Sequence, residues 1–284
     1  MAKKVILFGH TGKMGIALNE IFKIDYEVIG KNTKDFDAAD FTEVRNIIEE
    51  EKPDIVINTV AFMNADLCEK DPDRAFRLNT LFPKLLAELS NKFNFSLAHF
   101  SSAAVFNNEK KEPYVESDTP KPINVYGMTK YGGDCMVEAI AGRYYIFRLP
   151  ILFGRSKKNQ FVEKMLHKIK MGETVLRIAD DITDSPSYSK DIAEEVKRIL
   201  EDSLPFGLYH IANKGSATLF DLISEIVMNL ELEIKVEKAS HMDFPSISIK
   251  NTHAAITSER IRPLRPWQEA VRDYILHLKS EQGS

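Results

Sequence analysis

The sequence predicts an α/β protein: a doubly wound parallel sheet with a smaller α/β unit towards the C-terminal end. Three observations predict it. Short β-branched runs alternate with stretches of helical period through the first half of the chain, the pattern of βαβ units. A fully apolar run, Val5-Ile6-Leu7-Phe8, leads straight into Gly9-His10-Thr11-Gly12-Lys13-Met14-Gly15, with a glycine at every third position. The pattern then changes character near Phe153-Gly154, where a second unit is expected.

The first run is apolar at every position, as in a strand covered on both faces. The segment after it places Ile16, Ile21 and Phe22 on one side of a helix, with Lys13, Glu20 and Lys23 elsewhere. Residues 26–29 read as a second strand. Asp40-Phe41-Thr42-Glu43 reads as an N-cap with an acid at N3, opening a helix to Glu50 that Pro53 ends. Residues 54–60 are a third strand, and Asp71-Pro72 starts another helix with Asp as cap and Pro at N1. Strands follow at 97–100 and 145–149, with a helix at about 126–140 between them. Beyond the break, 161–170 and 191–200 read as helices, 207–211 as a strand, and Thr218-Leu219-Phe220-Asp221 as another capping box. Residues 240–248 are irregular, and 267–278 close the chain as an amphipathic helix.

Composition narrows the function classes. Among 284 residues, 38 Lys+Arg against 42 Asp+Glu give a net charge of −4, which argues against a general nucleic-acid binder. Cys68 and Cys135 are too few for a disulfide framework or a structural zinc site, and the seven His are dispersed, so no metal is expected. Both thiols are expected reduced and partly buried, and His99 and His210 are expected as core residues. The apolar run 5–8 is too short for a signal peptide, and no segment approaches the roughly 20 apolar residues of a membrane span. The expectation is a soluble, cytoplasmic protein.

The glycine turn carries the first chemistry. Its position between strand and helix suits a dinucleotide: the first Gly makes the tight turn, the second admits a pyrophosphate, and the third lets the helix lie close. The helix N-terminus presents N–H groups and a positive dipole end to the phosphates. Gly9, Thr11, Gly12, Lys13, Met14 and Gly15 are therefore candidate cofactor residues. After strand two stands Gly30-Lys31-Asn32-Thr33, with no acid and one cation. Lys31 there leans towards the 2′-phosphate of NADPH over NADH.

Tyr126 and Lys130 are the second constellation. Residues at i and i+4 share a helix face, so the ammonium is expected to lower the phenol pKa and let Tyr126 protonate a substrate oxygen. Ser101 and Ser102 follow the strand 97–100, at a carboxyl strand end where open α/β sheets bind ligands. A hydroxyl there suits a developing alkoxide.

At these residues the chain resembles the extended short-chain dehydrogenase/reductase superfamily, with its Rossmann sheet, and more narrowly the dTDP-4-dehydrorhamnose reductase family. The likeness adds Asp37-Ala38-Ala39-Asp40, Pro53-Asp54-Ile55-Val56-Ile57-Asn58, Ala65-Asp66-Leu67-Cys68-Glu69, Asn79, Pro113-Tyr114, Asn124-Val125-Tyr126-Gly127, Arg148, Phe161-Val162, Asp180-Asp181 and Ser185-Pro186-Ser187. The resemblance implies reduction of a keto group on a nucleotide-activated deoxysugar with NADPH or NADH. It implies that Ser102 polarises the ketone, Tyr126 gives the proton, and Lys130 tunes Tyr126 and holds the ribose. Asp37 and Ala38 would lie at the adenine, Val60, Ala61 and Ser101 along the cofactor, and Leu149 near the nicotinamide. Ser102, Ala103, Ile151 and Gln160 would face the sugar nucleotide.

Residues 1–152, with 188–212 returning to them, would form the dinucleotide unit; 153–187 and 213–284 would form the substrate unit, in a monomer or homodimer. The departures fall on the substrate side. Ala103 and Ala104 replace a carboxylate and a phenol, Ile151 an aromatic residue and Asp184 a glycine, and an Arg-Pro pair is absent near 248–250. An NAD-dependent sugar-nucleotide epimerase and a non-catalytic NADP-binding regulatory subunit are the rival readings.

Overall fold

In the computed structural model, which describes residues 2–156 and 160–282, the first half of the chain winds a parallel sheet. In chain order it forms β1 Lys4–Phe8, α1 Lys13–Phe22, β2 Glu27–Lys31, α2 Phe41–Glu51, β3 Ile55–Asn58, α3 Ala65–Lys70, α4 Pro72–Phe76, α5 Phe82–Phe93, β4 Ser96–Ser102, α6 Val125–Ile140 and β5 Tyr144–Leu149. The rest is β6 Leu152–Phe153, α7 Phe161–Lys170, β7 Val175–Ala179, β8 Thr183–Asp184, β9 Ser187–Tyr188, α8 Ser189–Glu201, β10 Gly207–His210, β11 Asn213–Lys214, β12 Ala217–Thr218, α9 Leu219–Asn229, β13 Lys235–Ala239, β14 Leu264–Pro266 and α10 Trp267–Gln282.

Six strands form one sheet in the order β10-β5-β4-β3-β1-β2, every neighbour parallel. Both faces are covered, which explains why β1 is apolar throughout. One face packs Leu18 and Phe22 of α1 and Ile192, Val196 and Ile199 of α8. The other packs Val44 and Ile48 of α2, Leu85, Leu86 and Leu89 of α5, and Val137 of α6. Strand order reverses where β1 lies between β2 and β3, so a crevice opens above the carboxyl ends there.

Local chemistry sets the helix ends. Asp40 caps α2 by accepting from the Thr42 and Glu43 amides, and α2 ends on Lys52 in the left-handed region, just before Pro53. Thr218 and Asp221 form the expected reciprocal capping box on α9. The helix opened by Asp71-Pro72 is interrupted: Arg77–Leu81 is a wide π-turn between α4 and α5. Pro83 explains it, because in a regular α-helix its ring would collide with the carbonyl of residue 79.

The remaining elements gather round a separate core of Phe153, Leu176, Ile178, Leu222, Ile223, Ile226, Trp267, Val271 and Tyr274. Four two-stranded ladders join this region, among them β6 with β9 and the parallel pair β7 with β13. The sequence pattern did not mark these short strands. Cys68 is buried and Cys135 half-buried, both as free thiols, and His99 and His210 are fully buried.

Candidate active site

The glycine turn has the shape of a phosphate cradle. Gly9 has φ +86°, and a Cβ there would lie 2.6 Å from Thr59 Oγ1. A Cβ on Gly15 would lie 2.1 Å from the Gly9 carbonyl oxygen. Gly12 differs: a Cβ there would meet nothing nearer than the Gly9 oxygen at 3.4 Å. The protein's own packing therefore does not demand glycine at 12, and a Cβ would fill the space over the start of α1. That helix has no side-chain cap and no acid in its first turn, which leaves its leading N–H groups to an anion. The turn fits a dinucleotide pyrophosphate. Thr11 is half-buried in it and Met14 is buried below.

Lys13 departs from expectation. Its side chain is 3% exposed, donates to the Leu152 carbonyl at 2.7 Å and pairs with Glu163 of α7 at 3.0 Å. Expected off the apolar side of its helix, it is taken inside by the Glu163 carboxylate and the Leu152 carbonyl.

At the end of β2, the Lys31 ammonium lies 3.9 Å from Glu51, so its charge is already partly met. Asp37 is exposed and accepts from the Ala39 amide at 2.9 Å, while Ala38 is buried. A cleft of about 550 Å³ opens beside Asp37 and Ala39, with Phe76 and Leu81 on its apolar side.

Two asparagines hold the floor, and sequence reasoning gave neither a role. Asn58, fully buried at the end of β3, accepts from the Val60 amide at 3.0 Å and bonds His99 Nδ1 at 3.2 Å. Asn79, in the π-turn, accepts from the Phe62 amide at 2.8 Å and donates to Phe62 O and Thr129 Oγ1, both at 3.0 Å. Val60 and Ala61, both half-buried, are thus pinned between β3 and α6. An asparagine ending the aliphatic run Ile55-Val56-Ile57 was the available signal for Asn58.

The proton-transfer candidates meet at the ends of β4 and β5. Ser101 and Ser102 stand in register with Arg148 and Leu149. Ser102 accepts from the Ala104 amide at 3.2 Å, closing the turn Ala103–Val105. α6 lies directly on this turn, since a Cβ on Gly127 would sit 2.2 Å from the Ala104 carbonyl oxygen. Asn124 caps α6 through the Gly127 amide at 2.8 Å and donates to Ile249 O at 2.9 Å. Tyr126 is brought beside Ser102, whose hydroxyl favours the phenolate, but burial outweighs it and pushes the phenol pKa up.

This corrects the expectation of a lowered phenol. The Lys130 ammonium is 1% exposed and donates to the Phe100 carbonyl at 2.6 Å, and burial brings its pKa down to about 8. Tyr126 is therefore fully protonated at neutral pH and suited to giving a proton.

On the opposite wall Ile151 is half-buried, and Gln160 caps α7 without a side-chain hydrogen bond. Asp184 accepts from the Ser185 amide at 2.7 Å, and burial pushes its carboxyl up to about 7 although the Ile151 amide also favours its charged form. Among the described residues no cluster of His, Cys, Asp or Glu has the arrangement of a metal site, and no helix is long and apolar enough to cross a membrane.

A family model described as RmlD substrate binding domain matches residues 3–280. The spore coat polysaccharide biosynthesis protein SpsK of Bacillus subtilis is 33% identical, covering 96% of each chain. The crystal structure of a dTDP-4-dehydrorhamnose reductase from Clostridium acetobutylicum superposes with a TM-score of 0.92 at 28% identity, over 97% of this chain and 99% of that one. The Bacillus anthracis dTDP-4-dehydrorhamnose reductase, solved in complex with NADP, gives 0.92 at 26% identity, over 98% and 100%. The chain belongs to the RmlD substrate binding domain family, the family of the dTDP-4-dehydrorhamnose reductases.

Proposed function

We propose that this chain reduces the keto group of a nucleotide-activated deoxysugar with NADPH or NADH, and that Tyr126, Ser102 and Lys130 carry the proton transfer. The observation that carries the assignment of roles is the placement of a protonated phenol beside Ser102 at the carboxyl ends of β4 and β5. From there Lys13 links the glycine turn to Leu152, three residues beyond Leu149.

The bound dinucleotide supplies the hydride. The N–H groups opening α1 and the space over Gly12 take its pyrophosphate. Asp37 and Ala38 line the adenine end, with Lys31 at the ribose. Val60, Ala61, Ser101 and Leu149 border the nicotinamide end. Lys130 has two further ammonium protons beyond the one given to Phe100 O, and these suit ribose hydroxyls. Ser102 hydrogen-bonds the ketone oxygen and stabilises charge developing there. Tyr126 Oη gives its proton to that oxygen as the alcohol forms. Ala103, Ile151 and Gln160 border the sugar nucleotide.

Residues 1–152 with 188–212 act as the dinucleotide unit, a division supported by the return of β10 to the sheet beside β5. Residues 153–187 and 213–284 act as the substrate unit, supported by their separate core. The protein works in the cytoplasm as a monomer or homodimer. SpsK carries a name from spore coat polysaccharide biosynthesis, and an envelope or coat polysaccharide is the corresponding destination for the sugar here.

The test is a panel of keto-sugar nucleotides, dTDP-4-dehydrorhamnose among them, followed by loss of NADPH absorbance. Turnover of one or more supports the reading. No oxidation with any, together with tightly held NAD in the purified protein, would replace it with the epimerase reading.

A further inference from the structure

Lys130 stands among four other buried polar side chains from α6, β4 and β5. One helical turn on, Asp134 is 2% exposed and accepts from Arg148 Nε at 3.0 Å. His99 of β4 sets its Nε2 3.8 Å from Asp134 Oδ1, too far for a direct hydrogen bond. Ser101 is close enough to favour the Asp134 carboxylate. Within this cluster His99 Nε2, Ser101 Oγ, Asp134 Oδ1 and Arg148 Nη1 are all buried and have no hydrogen-bond partner in the protein.

The proton inventory is fixed by neighbours. Asn58 Oδ1 accepts from the Val60 amide, so its Nδ2 is the group facing His99 Nδ1. Nδ1 therefore accepts, and the neutral imidazole carries its proton on Nε2. His99 is held neutral, its pKa far below the ordinary value, by burial and by the Lys130 charge. The cluster thus offers two N–H donors, Nε2 of His99 and Nη1 of Arg148. It offers one carboxylate acceptor and one hydroxyl. A water molecule completes that set: it accepts from the two N–H groups and donates to Asp134 and Ser101. Buried polar atoms are rarely left unpaired, and internal waters make two to four such bonds.

We propose that Asp134 is a positioning residue for Lys130, acting from a buried chamber shared with Arg148, His99 and Ser101 that binds one water molecule. The inference rests on the reading of Lys130 as part of the cofactor site. Burial draws the Lys130 ammonium towards its neutral form, and the Asp134 carboxylate is the charge that opposes this. The other groups facing Lys130 do not help: Tyr126 of α6 is a neutral phenol, His99 of β4 is a neutral imidazole, and Arg148 of β5 is a cation that Asp134 also balances.

Three readouts test it. A high-resolution crystal structure of the purified chain is expected to show a water bonded to Asp134 Oδ1 and His99 Nε2; a dry chamber overturns the proposal, and this arm needs no variant. The Lys130 titration midpoint, followed by NMR of its ¹³Cε, is expected to fall by roughly one pH unit in Asp134→Asn and to be restored in Asp134→Glu. Equal midpoints in the wild type and Asp134→Asn overturn it. The basic limb of the kcat profile follows the same order, moving to lower pH in Asp134→Asn. A wild type that reduces no keto sugar defeats the reductase reading, whereas the titration and the crystal structure still decide the role of Asp134.

Discussion

The floor of the crevice and its outer wall are built on different principles. On the floor, buried polar side chains are tied to backbone groups and to α6. Asn79 clamps Phe62 to α6, Asn124 holds the start of α6 against 249–251, and Lys130 is bonded to Phe100 O. On the wall, the family's polar and aromatic positions are taken by Ala103, Ala104 and Ile151, and a glycine position by the half-buried acid Asp184. The difference separates reaction from recognition. On the proposed function, a polar floor would serve hydride and proton transfer to many ketones, and the wall would decide which sugar reaches it.

The largest effect that sharpens this contrast lies within the glycine turn. Gly15→Ala places a methyl 2.1 Å from the Gly9 carbonyl oxygen and is expected to cost about 3 kcal/mol or more in a denaturant melt. Gly12→Ala is expected to keep stability within about 1 kcal/mol yet weaken NADPH binding about tenfold or more by fluorescence titration. Equal loss of stability in both would mean that 12 is a packing glycine and not part of the cradle.

Next is Asn79→Ala, which leaves the half-buried Phe62 amide without its partner and the Phe62 carbonyl with the Cys68 thiol alone. It is expected to destabilise by about 2–3 kcal/mol and to raise KM for the dinucleotide as the Val60-Ala61 segment loosens. A change under about 0.5 kcal/mol would show that the floor is not held there.

On the wall, Asp184→Asn is expected to act through pH. The folded-state pKa, about 7, lies above the ordinary 3.8, so the folded protein holds this proton after the unfolded chain has lost it. The stability this gives at low pH is lost as pH rises from about 4 to about 7. The variant escapes that loss, and its advantage is expected to grow over the same window to about 2 kcal/mol, roughly half of what the full shift corresponds to because the half-buried side chain is screened by solvent, then stay level. A pH-independent difference would contradict the buried-acid account.

The smallest effect is expected from Lys31→Ala. With Glu51 3.9 Å from its ammonium, removing it should change the NADPH-to-NADH preference by less than about threefold, measured as a ratio of kcat/KM values.

Legibility in the sequence follows the same division. The sheet, the glycine turn and the helix carrying Tyr126 and Lys130 were readable because each rests on local pattern: an apolar run, a threefold glycine spacing, an i,i+4 pair. The ladder β6–β9 was not, since two-residue strands carry no periodicity, and neither was β7–β13, whose two strands pair across a long stretch of chain. The Tyr126 pKa was misjudged for a related reason. Spacing places an ammonium on the same face, but burial is a tertiary property, and here it outweighs the one opposing influence, the Ser102 hydroxyl. Lys13 and Asp134 were invisible as partners because Glu163 and Arg148 are distant in sequence and meet them only in the fold.

The account stands or falls on the Tyr126 phenol as the proton donor. Steady-state NADPH oxidation by Tyr126→Phe against the wild type, with the best substrate of the panel, measures it directly. A loss of about a hundredfold or more in kcat, with the NADPH dissociation constant unchanged, is the predicted result. Undiminished oxidation by the variant would contradict it.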